Sequence, residues 1–433
     1  MGKITKVMKY QLTYLDGCGS FKDMQEAVWD LQRQTREILN KTIQICSHWS
    51  YNSKEYQYHE GETPKLQDKT GYKSYGGYAY DCIKDQYPNM VSGNKMGTVM
   101  EACKKYTNSA LDVLTGEMSL PSYKKDQPII ITAKNIHLSY SDKTPVVELS
   151  LFSPKFKKEK GWNRYVRFAL VVKDGTQKSI LRDILEGRYQ LGQSQLVYDK
   201  KKWFLLLAYS FEPKQHQLDP NKILGVDLGE AYAIYASSTS GRGTFKIDGG
   251  EITAYAKQIE SRKRSLQQQA RHCGEGRIGH GTHTRLKPVY KARNRISNFR
   301  ETINHRYSKD LVAWAVRNGY GTIQMENLTG IKEDLEYPKH LQHWAYYDLQ
   351  MKIKYKAAEH GIIVKEVDPK YTSQRCSKCG HIDSLNRISQ ERFCCTACGF
   401  KSNADFNASQ NLSIHGIDKI IKKQLGLKSN DAK

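Results

Sequence analysis

The sequence predicts a multidomain α+β protein, in which an antiparallel β-barrel is interrupted by a helical unit and followed by an α/β domain with an inserted cysteine ribbon. Three observations predict this order. Runs of β-branched and aromatic residues lie on both sides of a long stretch with helical periodicity. Short apolar strands further along the chain end in carboxylates. Two C-x2-C pairs stand near the C-terminus of the 433-residue chain, which is long enough for several domains.

The charge balance indicates a polyanionic partner. Lys and Arg number 68 against 45 Asp and Glu, which gives a formal net charge of +23. An excess of this size favours nucleic acid over the substrate of an ordinary metabolic enzyme. The 28 tyrosines can stack on bases as well as fill cores. Solubility tuning, or a crowded basic surface, is the alternative explanation of the charge.

Cysteine usage indicates a reducing compartment. Four of the ten cysteines have metal-site spacing, and the others show no pairing pattern that would suggest disulfides. Those others are Cys18, Cys46, Cys82, Cys103, Cys273 and Cys394. Residues 1–14 lack a continuous apolar segment, and no run reaches the roughly 18 apolar residues of a membrane span. We therefore expect a soluble, intracellular protein.

The N-terminal part of the chain predicts a strand and then a helical unit. Lys3 to Tyr14 alternates apolar and polar residues as a half-buried strand does. Helical periodicity follows from Phe21 to about Trp49 and returns from about Asn94 to Leu114. Residues 51–94 between them form a connection rich in Tyr, Gly, Lys and Asn.

Strand patterns return after Pro121 and predict the rest of the barrel. The runs are Ile129 to Thr132, Val146 to Leu151, Arg164 to Val172 and Gln195 to Phe211. One predicted loop is crowded with lysines, at Lys155, Lys157, Lys158 and Lys160. This favours a barrel that binds nucleic acid on an open face, and a plain scaffold is the alternative.

A linker and a mixed α/β sheet follow the barrel. Residues 213–220 contain two prolines and no periodicity, which indicates the linker. The alternation that follows has predicted strands at Ile223 to Asp227, 231–236, 244–248, Tyr320 to Glu326 and Ile362 to Val367, with a helix near Trp344 to His360.

Residues 257–309 are the most basic part of the chain, with 14 Lys or Arg against three Glu. Two basic helices joined by a Gly- and His-containing loop at 274–284 would neutralise a phosphate backbone. A solvated helical face, the alternative, would carry comparable numbers of acids. A second metal site is a further alternative, but its candidates match no common ligand spacing. These candidates are His272, Cys273, His280 and His283.

Three carboxylates predict a metal-dependent site. Asp227 and Glu326 end strands, and Asp405 begins a helix directly after the ribbon. Mg2+ prefers carboxylate oxygens, and two such ions can act on both sides of a phosphodiester. Three acids packed together would repel one another without cations. Each also has a structural alternative: Asp227 as a turn cap, Glu326 as the partner of a basic helix, and Asp405 as an N-cap.

The ribbon has a C-x2-C pair, a fifteen-residue gap and a second C-x2-C pair. Its ligands are Cys376, Cys379, Cys395 and Cys398. Four thiolates complete a tetrahedral Zn2+ site with no open position, which predicts a structural role. Cys394 is an alternative ligand at one position. We prefer Cys395 because it forms the C-x2-C spacing with Cys398, which Gly399 follows.

Together these motifs resemble a known family. They are G-V-D-L-G at 225–229, Q-M-E-N-L at 324–328, and C-S-K-C-G with C-T-A-C-G-F-K-S-N-A-D-F-N-A-S between 376 and 409. The series is similar to the RNase H-like, split RuvC domain of transposon-encoded TnpB nucleases and of their relatives, the miniature type V-F CRISPR effectors. The motifs cover roughly residues 221–415, and the N-terminal half resembles the family in layout alone.

The resemblance implies a domain order. It comprises a wedge barrel at 1–20 and 118–212, a helical recognition unit at 21–117, a linker at 213–220, RuvC at 221–375 and 401–433, and a zinc ribbon that contacts target nucleic acid at 376–400. Some type V-F members carry an N-terminal zinc finger, and no paired-cysteine motif for one is present here.

By position, Asp227, Glu326 and Asp405 match the family's three Mg2+-binding catalytic acids. Arg387 matches an arginine thought to assist at the active centre, where it would neutralise charge on the scissile phosphate. Arg375 and Arg392 are rivals for that role. The family further implies a guide RNA, target double-stranded DNA read beside a T-rich motif, a homodimer on one guide, and a prokaryotic cytoplasm.

We therefore expect a CRISPR RNA-guided DNA endonuclease. A TnpB-type transposon nuclease, whose guide comes from the end of the element, is the alternative of the same class. A non-cutting RNA- or DNA-binding protein and a DDE-type transposase, which would require no RNA, are alternatives of other classes.

Overall fold

The structure is a computed structural model that describes residues 2–229, 232–239, 243–272, 282–293, 295–328, 344–368, 371–389 and 391–426. The chain divides into two compact units. One contains Lys3–Phe211, and the other contains Glu212–Lys433 with Met1–Gly2. Within the described ranges, no helix is long and apolar enough to cross a membrane.

The first unit combines an antiparallel sheet with helices. Its strands are β1 Ile4–Asp16, β2 Ile129–Ile131, β3 Ile136–Ser141, β4 Thr144–Leu149, β5 Val166–Val171, β6 Gln190–Leu191, β7 Ser194–Asp199 and β8 Lys202–Phe211. Its helices are α1 Phe21–Glu60, α2 Leu66–Thr70, α3 Tyr75–Ile83, α4 Ser92–Thr115, α5 Pro154–Lys160 and α6 Gly175–Leu185.

The sheet runs in the order β2-β7-β8-β1-β5-β4-β3, and β6 pairs with β8. Strand β1 is central, because it pairs with β8 on one side and with β5 on the other. Since β2 and β3 stand at opposite ends of this path, the sheet is a half-barrel rather than the antiparallel β-barrel predicted from the strand runs. The inner face of the sheet and helices α1 and α4 contribute to one hydrophobic core.

The end of α1 and the type of the segment that forms α5 differ from the sequence-based prediction. Helix α1 continues to Glu60 instead of ending near Trp49. In this extension the hydroxyls of Ser50 and Ser53 donate hydrogen bonds to backbone carbonyls four residues earlier. The lysine-crowded segment predicted as a loop is helix α5, which Ser153 caps and which has proline at its first position.

The second unit contains a mixed sheet and the ribbon. Its strands are β9 Asp219–Asp227, β10 Tyr232–Ser237, β11 Phe245–Asp248, β12 Tyr320–Glu326, β13 Ile363–Val367, β14 Arg392–Cys394 and β15 Lys401–Asn403. Its helices are α7 Gly250–His272, α8 Thr282–Arg293, α9 Arg295–Arg317, α10 Trp344–Glu359, α11 Ala404–Leu412 and α12 Ile417–Gln424.

The five-stranded sheet has the order β11-β10-β9-β12-β13. Strands β9, β12 and β13 are parallel, and β10 and β11 are antiparallel. Apolar residues of α9 and α10 pack on the sheet in one core. The last two residues of the predicted linker, Asp219 and Pro220, belong to β9. The Thr322 hydroxyl donates a hydrogen bond of 2.8 Å to the Pro220 carbonyl, which joins Pro220 to the neighbouring strand β12.

The predicted basic segment is helical where the structure describes it, in α7, α8 and α9. Most of its predicted connecting loop, residues 273–281, lies outside the described residues. The same holds for the side chains proposed as an alternative metal site, which are His272, Cys273, His280 and His283.

Candidate active site and cysteine cluster

The carboxyl ends of β9 and β12 place Asp227 and Glu326 side by side. The two strands are parallel neighbours in which Val226 pairs with Met325, so the acids that follow stand at the same level and on the same face of the sheet. Each acid ends a strand whose preceding residues are buried, and each side chain is half-buried. The sheet therefore delivers two carboxylates to one edge.

Helix α11 brings the third acid. Asn403 caps this helix by accepting a hydrogen bond of 3.0 Å from the Phe406 amide. Asp405 stands in the first turn and is only 4% exposed. A Cβ on Gly229, in the turn after β9, would lie 3.9 Å from both carboxylate oxygens of Asp405. The end of β9 and the start of α11 therefore meet.

Glycine at position 225 makes this approach possible. A Cβ at that position would lie 2.0 Å from the Ser409 carbonyl oxygen and 2.4 Å from the Ser413 amide nitrogen. Both are backbone atoms of α11 or its C-terminal end, and they cannot move independently of the helix. Any larger residue would thus push α11, and Asp405 with it, away from β9.

The three carboxylates share one electrostatic environment. Burial raises the pKa of Asp227 well above its usual value, and the charges of Glu326 and Asp405 raise it further. Burial also raises the pKa of Glu326 and of Asp405. The Arg387 guanidinium lowers the pKa of all three acids. Acids with raised pKa values that face one cation are typical of a functional site.

Polar residues that sequence reasoning missed hold Glu326 in place. The hydroxyl of Thr372 donates a hydrogen bond to its carboxylate, and the Gln350 amide donates one of 2.7 Å to its backbone carbonyl. Gln324, two residues earlier, is buried and donates to the carbonyls of Leu412, the last residue of α11, and of Ile414, just after the helix. The only available signal was the position of Thr372 just before the ribbon, and spacing alone does not identify its partner.

Arg387 comes from the ribbon and is half-buried. Its two rivals are placed differently. Arg375 is buried and donates hydrogen bonds to the side chains of Asn411, at 2.8 Å, and Gln424, at 3.2 Å. Arg392 is exposed on β14. The electrostatic contact with the three acids therefore favours Arg387.

The ribbon gathers four thiols. The Sγ atoms of Cys376 and Cys398 are 3.8 Å apart, and those of Cys379 and Cys395 are 3.6 Å apart. All four lie within 4.8 Å of one another, and in the described parts of the chain no other group of three or more His, Cys, Asp or Glu ligands is as close. The group contains Cys395 and not Cys394, which lies on β14.

The chemistry of this donor set fits zinc. Four thiolates in a tight group suit tetrahedral Zn2+ and leave no position for a substrate. Burial opposes ionisation of Cys395, but hydrogen bonds from the backbone amides of Cys398 and Ala397 lower the pKa of this thiol to about 7. The carboxylates of Asp227, Glu326 and Asp405 offer oxygen ligands instead, which are the ligands that Mg2+ prefers.

Comparison with known proteins identifies the family. Residues 346–412 match the family described as Cas12f1-like, TNB domain. The chain is 43% identical over 408 residues to the CRISPR-associated endodeoxyribonuclease Cas12f1 of Sulfoacidibacillus thermotolerans, covering 94% of this chain and 96% of that protein. It is 35% identical over 427 residues to Cas12f1 of Syntrophomonas palmitatica, covering 90% of this chain and 86% of that protein.

The fold agrees with these sequence relationships. A cryo-EM structure of a Cas12f1-sgRNA-target DNA complex matches with a TM-score of 0.71 at 18% identity, covering 95% of this chain and 99% of that one. The mixed α/β, multidomain architecture is therefore that of Cas12f1, and the resemblance inferred from the motifs is confirmed. The chain belongs to the Cas12f1 family of CRISPR-associated endodeoxyribonucleases.

Proposed function

We propose that this protein is a CRISPR RNA-guided DNA endonuclease whose second unit is a RuvC-type, RNase H-like nuclease domain. The observation that carries the proposal is that Asp227, Glu326 and Asp405 meet at one sheet edge, where the positive charge of Arg387 acts on them. The relatives that match nearly the whole chain are named for endodeoxyribonuclease activity.

The three carboxylates would hold two Mg2+ ions, which when bound activate water and stabilise the leaving oxygen of a phosphodiester. Burial and mutual repulsion make this site costly to ionise without cations, so the acids favour metal binding. Thr372 and Gln350 keep Glu326 oriented. Arg387 would neutralise charge on the scissile phosphate.

The cysteine cluster would hold one Zn2+ ion with a structural role. The ribbon carries Arg387 between its two cysteine pairs, and Asp405 follows it in the chain. A closed four-thiolate site fixes the folding of the ribbon without taking part in the reaction. Zinc would thus act on cleavage through the placement of these two residues.

Guide RNA and target double-stranded DNA are the proposed partners. Pairing between guide and target would supply sequence specificity, while the protein holds the duplex by its shape and charge. The net charge of +23 and the basic helices α7, α8 and α9 support this role. We further propose a homodimer on one guide, recognition of a T-rich motif beside the target, and a prokaryotic cytoplasmic location.

Three alternatives are weaker. A TnpB-type transposon nuclease would share the site, but identity to Cas12f1 proteins extends over most of both chains. A neighbouring CRISPR array would separate these two. The three acids held together disfavour a protein that binds nucleic acid without cutting it. A DDE-type transposase would need no RNA, so RNA in the purified protein would argue against it.

The deciding experiment is cleavage of a target plasmid by the protein with its guide RNA, in Mg2+ and in EDTA. Sequencing of RNA that copurifies supplies the guide. We expect cleavage only when both a matching guide RNA and Mg2+ are present. Asp227→Ala, Glu326→Ala and Asp405→Ala should each abolish cleavage while guide RNA binding survives, because each removes a metal ligand. Wild-type cleavage by any one of these variants would remove that residue from the site.

A further inference from the structure

We propose that Asn386 is a positioning residue that fixes the backbone of Arg387 on the ribbon, so that the guanidinium faces the three acids. This inference rests on the proposed role of Arg387. It adds a residue that makes no contact with substrate or metal and acts through its neighbour alone.

Asn386 is fully buried, and its side chain joins two segments of the ribbon to Gln374, just before it. Its amide nitrogen donates hydrogen bonds to the carbonyls of Gln374, at 2.9 Å, and His381, at 3.3 Å. Its amide oxygen accepts from the Thr396 backbone amide at 2.8 Å. The Thr396 hydroxyl is shared between this oxygen, at 3.1 Å, and an Asp383 carboxylate oxygen, at 3.0 Å. A buried amide that satisfies both its donor and acceptor sides has one allowed position.

The backbone on either side of Arg387 is anchored to the same ribbon. Asp383 caps the short 3-10 turn at Ser384–Asn386 by accepting from the Leu385 amide at 2.9 Å. After the turn, Arg387 forms a backbone bridge with Phe393, which is 2% exposed and packs in the cysteine-containing core. Asn386 is thus the one buried side chain among residues 384–389.

Packing from outside does not hold this turn in the isolated chain. Leu385 and Ile388, which flank Asn386 and Arg387, are 73% and 60% exposed. The position of Arg387 therefore depends on hydrogen bonds made inward, mainly by Asn386. A shift of about 1 Å in a group that acts on the reacting phosphate can cost roughly 100-fold in rate.

The test is a double-mutant cycle of Asn386→Ala and Arg387→Ala in the guide-loaded protein. We measure kcat and KM for target DNA, together with zinc content and thermal stability. We expect Asn386→Ala to lower kcat by about 10- to 100-fold with little change in KM, and to have no further effect when Arg387 is already alanine. Thr396→Val, which removes the hydroxyl shared by Asn386 and the Asp383 cap of the same turn, should give a smaller loss that also disappears in the Arg387→Ala background.

Asn94→Ala is the matched control. Asn94 is also buried and accepts from Thr132 and Asn135, but it lies in α4 of the first unit. If this variant changes kcat, the fold-change should be the same whether residue 387 is arginine or alanine. Asn386→Ala and Thr396→Val could each lower kcat by the same factor whether residue 387 is arginine or alanine. In that case Asn386 is merely structural, and the inference fails while the proposed function stands. If Arg387→Ala itself leaves kcat unchanged, the proposed role of Arg387 fails and the inference falls with it.

If Asn386→Ala loses zinc or fails to fold, Thr396→Val alone decides. This variant keeps the backbone bond to Asn386, so a loss of kcat that Arg387→Ala masks supports the inference. Unchanged kcat in zinc-replete Thr396→Val, measured beside a misfolded Asn386→Ala, would overturn it.

Discussion

At the scale of single residues, the site depends on one cation facing three acids. Arg387 lowers the pKa of Asp227, Glu326 and Asp405, whereas burial raises the pKa of each. The balance decides the pH range in which the carboxylates are ionised and able to bind metal. Removing the guanidinium would therefore raise the pKa of all three acids.

Arg387→Ala should show a pH effect in addition to its lower kcat. Because the acids must lose protons to hold Mg2+, activity falls as the pH drops through their pKa values. We expect the acidic limb of the kcat/KM profile to move to higher pH in Arg387→Ala, and to stay near the wild-type position in Arg387→Lys, which retains the charge. The exposed Arg392→Ala is the control. An acidic limb that stays in place in Arg387→Ala would show that Arg387 does not face the acids.

The proposed ligands of the site follow sequence patterns, whereas the residues that support them do not. Asp227 and Glu326 follow apolar strands, and the cysteine spacing is that of a zinc ribbon, so each has a local pattern. Thr372 and Gln350 reach Glu326 from 46 and 24 positions away. Such hydrogen bonds exist only in the folded chain, and no spacing rule in one sequence indicates them.

At the scale of elements, the crossing of α11 over β9 sets the position of Asp405. Gly225→Ala would place a methyl group within 2.4 Å of two backbone atoms of the Ser409 to Ser413 segment. Overpacking of this kind costs about 1–3 kcal/mol and sometimes more. We expect a Tm lower by roughly 2–4 °C per kcal/mol and at least about 10-fold slower cleavage.

Gly175→Ala is the control for this substitution. Gly175 is the first residue of α6, and no atom lies within 4 Å of an added Cβ there. This variant should keep wild-type Tm and cleavage. Wild-type behaviour of Gly225→Ala itself would contradict the close packing of α11 on β9.

A second prediction at the scale of elements concerns zinc binding by the cysteine ribbon. Cys395→Ser should release zinc and lower activity, because Cys395 lies within 4.8 Å of the other three thiols. Cys394→Ser, one position away on β14, should retain both. Metal analysis of the purified variants by mass spectrometry decides, and zinc retained in Cys395→Ser but lost in Cys394→Ser would exchange the two assignments.

Element types were predictable where the periodicity was long, and boundaries were less so. The long helices α1 and α4 and the strands β9 and β12 follow clear patterns. Helix α5 was hidden because its lysines resemble a basic loop, although Ser153 and Pro154 are a helix-start signal. The half-barrel was hidden because a strand run does not show whether the first and last strands of a sheet pair.

At the scale of the whole molecule, charge and architecture point to the same partner. The net charge of +23 predicted nucleic acid, and the chain belongs to a family of endodeoxyribonucleases. What composition could not supply is the convergence of residues 227, 326 and 405, which requires a parallel pair of strands and a helix nearly two hundred positions later. The central claim is that this convergence makes a single metal site.

Counting bound Mn2+, a spectroscopic substitute for Mg2+, tests that claim most directly. Electron paramagnetic resonance of the RNA-free, full-length protein gives the number of tightly bound ions in the wild type and in Asp227→Asn, Glu326→Gln and Asp405→Asn. A shared two-metal site predicts that each substitution removes at least one ion and weakens what remains. The same number of ions, bound with the same affinity in all four proteins, would contradict it.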